Sequence, residues 1–373
     1  MVLVAIPLLL LALAGIGYTI WAAILVARFE RAAEPPPVAA EPVTLLKPLH
    51  GAEPLLEANL RSFLAQEWDA PIEMVAGVQR ADDPAIAVAQ ALGARAVIDP
   101  TVHGANAKIG NLINMMPSAR HDLIVLSDSD MAAPRDYLAR VAAALAQPEV
   151  GAVSLLYRGR GDAGFWSSLA GMAISYNFLP SVLVARSVGA HEPCMGSTIA
   201  LRRATLERIG GFAAFADTLA DDAAIGAAIN ALGLHIACPR LIVAHGCTET
   251  SLSAVLRHEL RWAATVRGVD PRGYMGLGVT FPVAWAILAL PFAPLPALGM
   301  LAGALAARLL LVSEVDRLAG TKSGARRWLV VRDGLSFIVF MTSFFVRSVD
   351  WRGARLNMEA DRRTIRSQGV ETL

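Results

Sequence analysis

At 373 residues the chain has room for one large domain or two small ones, and its 55% hydrophobic and 17% charged residues set it apart from an ordinary soluble enzyme, which carries about 25% charge. A formal net charge of +1, with no basic stripe interleaved with aromatics, gives no ground for nucleic acid as a partner. Cys194, Cys238 and Cys247 have neither zinc-like nor CxxC spacing and make no even set, so free thiols in a reducing compartment are expected.

Residues 1–27 hold no charged side chain, and Arg28, Arg31 and Pro35-Pro36-Pro37 come directly after. The stretch lacks a positive leading region and exceeds the about 7–15 apolar residues of a signal peptide. It matches the about 20 residues of a spanning helix. An uncleaved anchor over 1–28 is expected, then a linker over 29–42, with the arginines keeping the rest of the catalytic span in the cytoplasm.

From 43 to 250 short apolar runs alternate with helix-like stretches. VTLLK (43–47), IEMVAGVQ (72–79), ARAVID (94–99), DLIVLSD (122–128) and VGAVSLLY (150–157) read as strands. Residues 51–66, a segment opening at Pro84, 107–116 and 134–146 read as helices. This alternation predicts an α/β domain with a mostly parallel, Rossmann-like sheet covered on both faces. Ligands of such sheets bind beyond the carboxyl ends of the strands. FWSSLAGMAISYNFLPSVLVA (165–185) is uncharged and aromatic-bearing, and reads either as an interfacial helix or as a core helix.

Asp82-Asp83 and Asp128-Ser129-Asp130 fall at predicted strand ends. Taken alone, Asp128-Ser129-Asp130 is turn and helix-cap chemistry. At the mouth of a parallel sheet, two oxygen ligands one residue apart also grip a hard cation such as Mg²⁺ or Mn²⁺. No P-loop and no GxGxxG succeeds a strand, so phosphates there need a metal and basic side chains. Lys108, at a loop-to-helix entry, is either such a group or a solvated surface lysine. Asp221-Asp222 either caps a helix or supplies a general base whose pKa is raised by its neighbours.

An interfacial helix is expected over 251–274, where Arg257, Arg261 and Arg267 accompany Trp262. Residues 275–312, broken by Pro291, Pro294 and Pro296, read as a membrane hairpin, and 313–327 as a basic cytoplasmic loop. The apolar segment 328–347 carries Arg332 and Asp333 near its start, and charges at bilayer depth are rare and tend to be paired or functional. It reads as a membrane or re-entrant segment ahead of an arginine-rich cytoplasmic tail over 348–373.

Taken in order, Asp83, Asp128, Asp222 and His258-Glu259-Leu260-Arg261-Trp262 form a pattern. The chain resembles membrane glycosyltransferases of the ceramide glucosyltransferase type (GT-A fold, family 2/21 type), whose signature is D, D, D, (Q/R)xxRW. VTLLKPLHGAEP, GVQRADDPAI, NAKIGNL, CMGSTIALRRATLERIGGF and WRGAR match as well. LLKPLHGAEP, NLINMMP, SLLYRGR and RHELRWA look closer to a bacterial branch associated with hopanoid biosynthesis. His258 stands where the family has Gln or Arg, and Asp130 completes a DxD that the animal ceramide enzymes lack.

The resemblance implies a UDP-sugar donor with Asp83 near the uridine and Asp128 and Asp130 on Mg²⁺ or Mn²⁺. Lys108 and Arg261 would then face the diphosphate, with His258 among the nucleotide-sugar-binding residues. Asp222 is implied as the base and Trp262 as a cover over sugar or acceptor, with His191 and Cys194 on the acceptor side. The implied reaction is inverting transfer of glucose or N-acetylglucosamine to a membrane lipid hydroxyl, of bacteriohopanetetrol or of ceramide, at the inner membrane of a bacterium. A processive polysaccharide synthase needs more spans than three or four apolar segments supply. A non-catalytic relative would be expected to lack one of Asp128, Asp222 and Arg261, and all three are present.

Overall fold

The computed structural model describes residues 2–51, 53–189, 192, 194–321, 324–346, 348–351 and 354–357. The chain forms two compact units, residues 31–163 with 185–248, and residues 1–30 with 164–184 and 249–373. The α/β unit is thus shorter than the span expected over 43–250, because the apolar helix that begins near residue 165 belongs to the other unit.

The strands of the α/β unit are β1 (Val43–Pro48), β2 (Ile72–Val78), β3 (Arg95–Ile98), β4 (Leu123–Leu126), β5 (Met131–Ala132), β6 (Val150–Ser154), β7 (Leu156–Gly161), β8 (Ile199–Arg202), β9 (His235–Ala237) and β10 (Ile242–Cys247). Seven form one sheet in the order β3-β2-β1-β4-β8-β6-β9, and β5, β10 and β7 form a smaller one. β1 to β4 run parallel, β8 lies antiparallel between β4 and β6, and β9 is parallel to β6. All four residues of β4 are buried, as an apolar run covered on both faces requires. The run 150–157, expected as one strand, is two. After Leu155 the chain leaves the large sheet and pairs as β7 with β10, a choice of partner that an unbroken apolar run does not encode.

The helix Ala107–Met115 shows how the sequence builds the layers. Asn106 caps it by accepting from the Lys108 and Ile109 amides, while Ile109, Leu112 and Met115 face a core that includes Leu46, Val75 and Ile124. Each such fully buried side chain contributes roughly 1.5–3 kcal/mol over leaving it exposed. Because β1, β2 and β4 are parallel, their carboxyl ends share one edge. β8 starts at that edge too, since Ile199 pairs with Leu126.

Among the described residues three helices are long and apolar enough to cross a membrane: Leu3–Glu30, Phe165–Ser187 and Pro294–Leu318. The helix from Phe165 is mostly buried among protein side chains and passes through a widened π turn at Ile174–Phe178. The stretch expected as a hairpin holds the long helix and only an eight-residue one, Pro282–Ala289. At 1.5 Å per residue the shorter helix covers about 12 Å, against a hydrocarbon core of about 30 Å. Leu329–Ser343 is also short, 15 residues, and carries Arg332 and Asp333 buried. Asp333 accepts from Arg308 Nε at 2.8 Å and Nη2 at 2.6 Å. Arg308 also donates to the Tyr176 carbonyl, in the π turn, at 2.9 Å and to Asn177 Oδ1 at 2.8 Å. Of the expected tail, residues 352–353 and 358–373 lie outside the described residues.

Candidate active site

The turn after β4 carries Asp128, Ser129 and Asp130 to the shared edge. Beneath it Lys47, 1% exposed, donates to Ser127 Oγ at 3.0 Å and to the Asp128 carbonyl at 3.1 Å. Its ammonium lies 3.2 Å over the Phe63 ring centroid. Burial holds this lysine well below its usual pKa, against the opposing charges of Asp128 and Asp130. β5 then pairs with β10, setting Met131 opposite His245. That register brings His245 Nε2 to 3.2 Å from Asp130 Oδ2. The Gly246 amide donates to the Asp130 carbonyl at 2.8 Å, and a Cβ on Gly246 would meet Asp162 Oδ2 at 2.5 Å, so the close approach requires glycine.

Two further carboxylates and one ammonium complete the cluster. Lys108 Nζ lies 2.8 Å from Asp128 Oδ1 and 3.5 Å from Asp221 Oδ2. Asn106 donates to Asp221 Oδ1 at 3.2 Å and to the Thr218 carbonyl at 2.7 Å, tying the start of its own helix to the start of the helix Asp221–Ala231. Two helix N-termini therefore meet here, which favours negative charge. Asp222 Oδ2 accepts from the Gly196 amide at 3.2 Å and Oδ1 from the Ala223 amide at 2.8 Å. A Cβ on Gly196 would stand 2.7 Å from Asp128 Oδ2, so this loop approaches the carboxylates only as bare backbone.

The electrostatics separate the acids. Desolvation and then the neighbouring Asp221 push Asp222 up to about 6, with Lys108 opposing. Desolvation also raises Asp128, against the Lys108 charge. For Asp130 burial acts upward, but the His245 charge and hydrogen bond, with Lys47 and Lys108, hold it below the usual carboxylate range. His245 is the counterpart: burial acts downward, and Asp130 lifts it well above an ordinary imidazole. One fold thus keeps an acid ionised at Asp130 and a carboxyl of base-like pKa at Asp222.

Among the described residues no three His, Cys, Asp or Glu side chains form a ready metal cage. The donor set nevertheless fits a hard cation. Asp130 Oδ1 is buried and accepts no hydrogen bond, and Asp128 offers oxygens two residues earlier in the same turn. Mg²⁺ is commonly held by one or two carboxylates, with substrate phosphates and water filling the other positions.

Of the residues expected from sequence, Lys108, Asp128, Asp130 and Asp222 come together. Cys194 is buried close by, its thiol pushed up by burial and then by the Asp222 charge, which keeps it neutral. Asp83, 9% exposed, is engaged by backbone: the Gly51 amide lies 3.1 and 3.0 Å from its two oxygens and the Ala85 amide 2.9 Å from Oδ1. It links the loops after β1 and β2. His191 lies outside the described residues. His258, Arg261 and Trp262 belong to the helical unit, on the helix Leu252–Val269 capped by Ser251. There the Glu249 carboxylate accepts from His258 Nδ1, and the His258 ring stands edge-on to Trp262 at 4.8 Å. Sequence reasoning missed His245, Lys47 and Asn106. The signals were a charge inside the apolar run VTLLK and an asparagine just before a helical run; for His245 there was none short of strand pairing.

The profile of glycosyl transferase family 21 matches residues 7–364. Among curated proteins, ceramide glucosyltransferase 1 of Caenorhabditis elegans is 23% identical over 222 residues, 57% of this chain and 46% of that protein, so the match spans about half the relative's length. Among solved structures, a mannosyltransferase from Pyrobaculum calidifontis in complex with GDP-Man and Mn²⁺ is 22% identical, covering 91% of this chain and 99% of that one, with a TM-score of 0.47. Glucosyl-3-phosphoglycerate synthase from Mycobacterium tuberculosis, in complex with Mn²⁺, UDP and phosphoglyceric acid, is 17% identical over 60% of this chain and 77% of that one, with a TM-score of 0.38.

Proposed function

The chain belongs to glycosyl transferase family 21, and on that basis we propose that it moves a hexose from a UDP-sugar to the hydroxyl of a membrane lipid with inversion at the anomeric carbon. It is a sugar-nucleotide-dependent glycosyltransferase; its donor, its acceptor and the roles of its residues are our reading. The observation that carries it is the cluster of Asp128, Asp130 and Asp222 around Lys108, with one carboxyl held near pKa 6.

Asp128 and Asp130 would hold Mg²⁺ or Mn²⁺, with His245 orienting Asp130. The cation, when bound, offsets the negative charge on the departing diphosphate. Lys108 and the two convergent helix N-termini receive the same phosphates, and Arg261 adds a bidentate contact suited to them. Asp83 shapes the pocket on the uridine side, His258 serves the nucleotide-sugar and Trp262 covers sugar or acceptor. Asp222 takes the proton of the lipid hydroxyl as its oxygen bonds to the anomeric carbon. The bond from that carbon to the diphosphate oxygen breaks, and UDP leaves with the electron pair. A single displacement turns an α-linked donor into a β-glycoside. Cys194 lines the acceptor side as a neutral thiol rather than a nucleophile, and His191, outside the described residues, is assigned to that side by family position alone.

The acceptor we favour is a hopanoid polyol, bacteriohopanetetrol, on the likeness of LLKPLHGAEP, NLINMMP, SLLYRGR and RHELRWA to that bacterial branch. Ceramide is the second reading, favoured by the name of the nematode relative. Three membrane-length apolar helices support a multi-pass protein of the bacterial inner membrane with its α/β unit in the cytoplasm. The test offers UDP-glucose and UDP-N-acetylglucosamine, each with bacteriohopanetetrol and with ceramide, to the protein in nanodiscs with Mn²⁺. One β-linked glycolipid identified by mass and NMR is the expected product. UDP binding without product in any pairing would put the acceptor outside both lipid classes, and no UDP binding would overturn the proposal.

A further inference from the structure

The charge at Arg332, unexplained by sequence, has a destination. Its guanidinium is fully buried and makes five hydrogen bonds. Two run in parallel to the Glu259 carboxylate, Nη1 to Oε1 at 2.7 Å and Nη2 to Oε2 at 2.6 Å. Nη1 also reaches the Leu169 carbonyl at 3.3 Å, while Nε and Nη2 reach Ser336 Oγ at 3.2 and 2.9 Å. Glu259 sits inside His258-Glu259-Leu260-Arg261-Trp262, on the same helix face as Trp262 three residues on. One turn of the motif helix is therefore clamped to Leu329–Ser343 by a bidentate pair.

A second tie lies further along the same two helices. Arg267 donates to the Ser343 carbonyl and, at 2.6 Å, to the Val346 carbonyl. Residues 259 and 267 thus attach, in order, to 332 and 343, and the two helices run side by side in the same direction. A cylinder held at one point still turns and slides. Held by a planar fork at one place and by carbonyl bonds about 12 Å further on, it does neither. Arg332 and Asp333, adjacent in sequence, divide the work: Asp333 pairs with Arg308 of the long helix, and Arg332 holds the motif helix.

We infer that Arg332 is a positioning residue for sugar transfer, fixing through Glu259 the rotation and register of the helix that presents Arg261 and Trp262. This rests on the reading of those two residues as part of the transfer machinery. The geometry asks for a guanidinium: a lysine keeps the buried charge but has no planar fork to match both carboxylate oxygens.

The experiment compares Arg332→Lys, Glu259→Gln and the double variant with the unaltered protein in nanodiscs. It reads kcat and donor KM per folded molecule, Tm, and UDP affinity in Mn²⁺, with Arg261→Ala as reference. Arg332→Lys should lower kcat about 10- to 100-fold, as a displacement near 1 Å does, and weaken UDP affinity in the same direction as Arg261→Ala. The double variant should be no slower than the slower single one, because both remove one clamp. Lowered Tm with kcat unchanged, or losses that multiply in the double variant, would overturn the inference. If Arg332→Lys does not fold, Glu259→Gln carries the same test, since it keeps the shape of the contact and removes the charge pairing. Unchanged turnover in Arg261→Ala would instead remove the motif from the mechanism. A slow Arg261→Ala beside a normal Arg332→Lys rejects the clamp alone.

Discussion

The α/β unit and the helical unit both bury acids beside bases, and they do so to opposite ends. Around the turn after β4, Asp130 Oδ1 and Asp221 Oδ2 are buried with no hydrogen-bond donor, and Asp222 is lifted to about 6. In the helical unit, Arg308 meets both oxygens of Asp333, and Arg332 meets both of Glu259. Incomplete pairing leaves lone pairs and protons for a ligand to use, whereas complete pairing removes charge from lipid and locks helices together. Buried charge alone does not mark a catalytic centre; what distinguishes the Asp130 and Asp221 cluster from the Arg308–Asp333 and Arg332–Glu259 pairs is how many of its bonds the fold has already made.

The contrast meets its strongest test at Asp222. Asp222→Asn should cut lipid glycosylation by about 10²–10⁴, the range of a lost general base, with Mn²⁺-dependent UDP binding retained in calorimetry. In the helical unit the larger effect falls on stability. Asp333→Leu leaves Arg308 buried without its counter-charge and should cost about 3–5 kcal/mol in a denaturation series, most of it recovered when Arg308→Met is added. Asp128→Ala should weaken Mn²⁺-dependent UDP binding by roughly 10- to 100-fold, consistent with loss of one hard oxygen ligand and of the partner of Lys108. The smallest effect is graded. With Asp222 titrating near 6, kcat should rise tenfold per pH unit up to about 6 and then level, since only the ionised carboxylate accepts the proton. Stability runs the other way: a carboxyl raised on folding stabilises fully below its unfolded pKa and loses that contribution as pH passes through about 6.

What the sequence displayed is uneven for physical reasons. Buried parallel strands announce themselves as apolar runs, so β1, β2 and β4, and the acids at their ends, were legible. Asp128 and Lys108 gather because the carboxyl ends of parallel strands share an edge, and Asp222 joins them at a helix start that Asn106 ties to that of Lys108. His245 was not legible, because it reaches Asp130 only through the β5–β10 pairing, whose two strands lie more than a hundred residues apart. The split at Leu155 was hidden for the same reason. The length of an apolar stretch misjudged the expected hairpin, whose first limb is one short helix. Arg332 and Asp333 stood out at once, but only packing of distant helices could name Glu259 and Arg308 as their partners.

Asp222→Asn and Asp333→Leu, measured side by side in the same nanodiscs for kcat per folded molecule and for Tm, put the division between the two units to a single test. A crossing is expected. Asp222→Asn loses turnover and keeps or raises Tm, because it removes a charge the pocket disfavours, while Asp333→Leu loses Tm and keeps most of its turnover. Wild-type turnover in Asp222→Asn, or loss of both quantities in both variants, would contradict it.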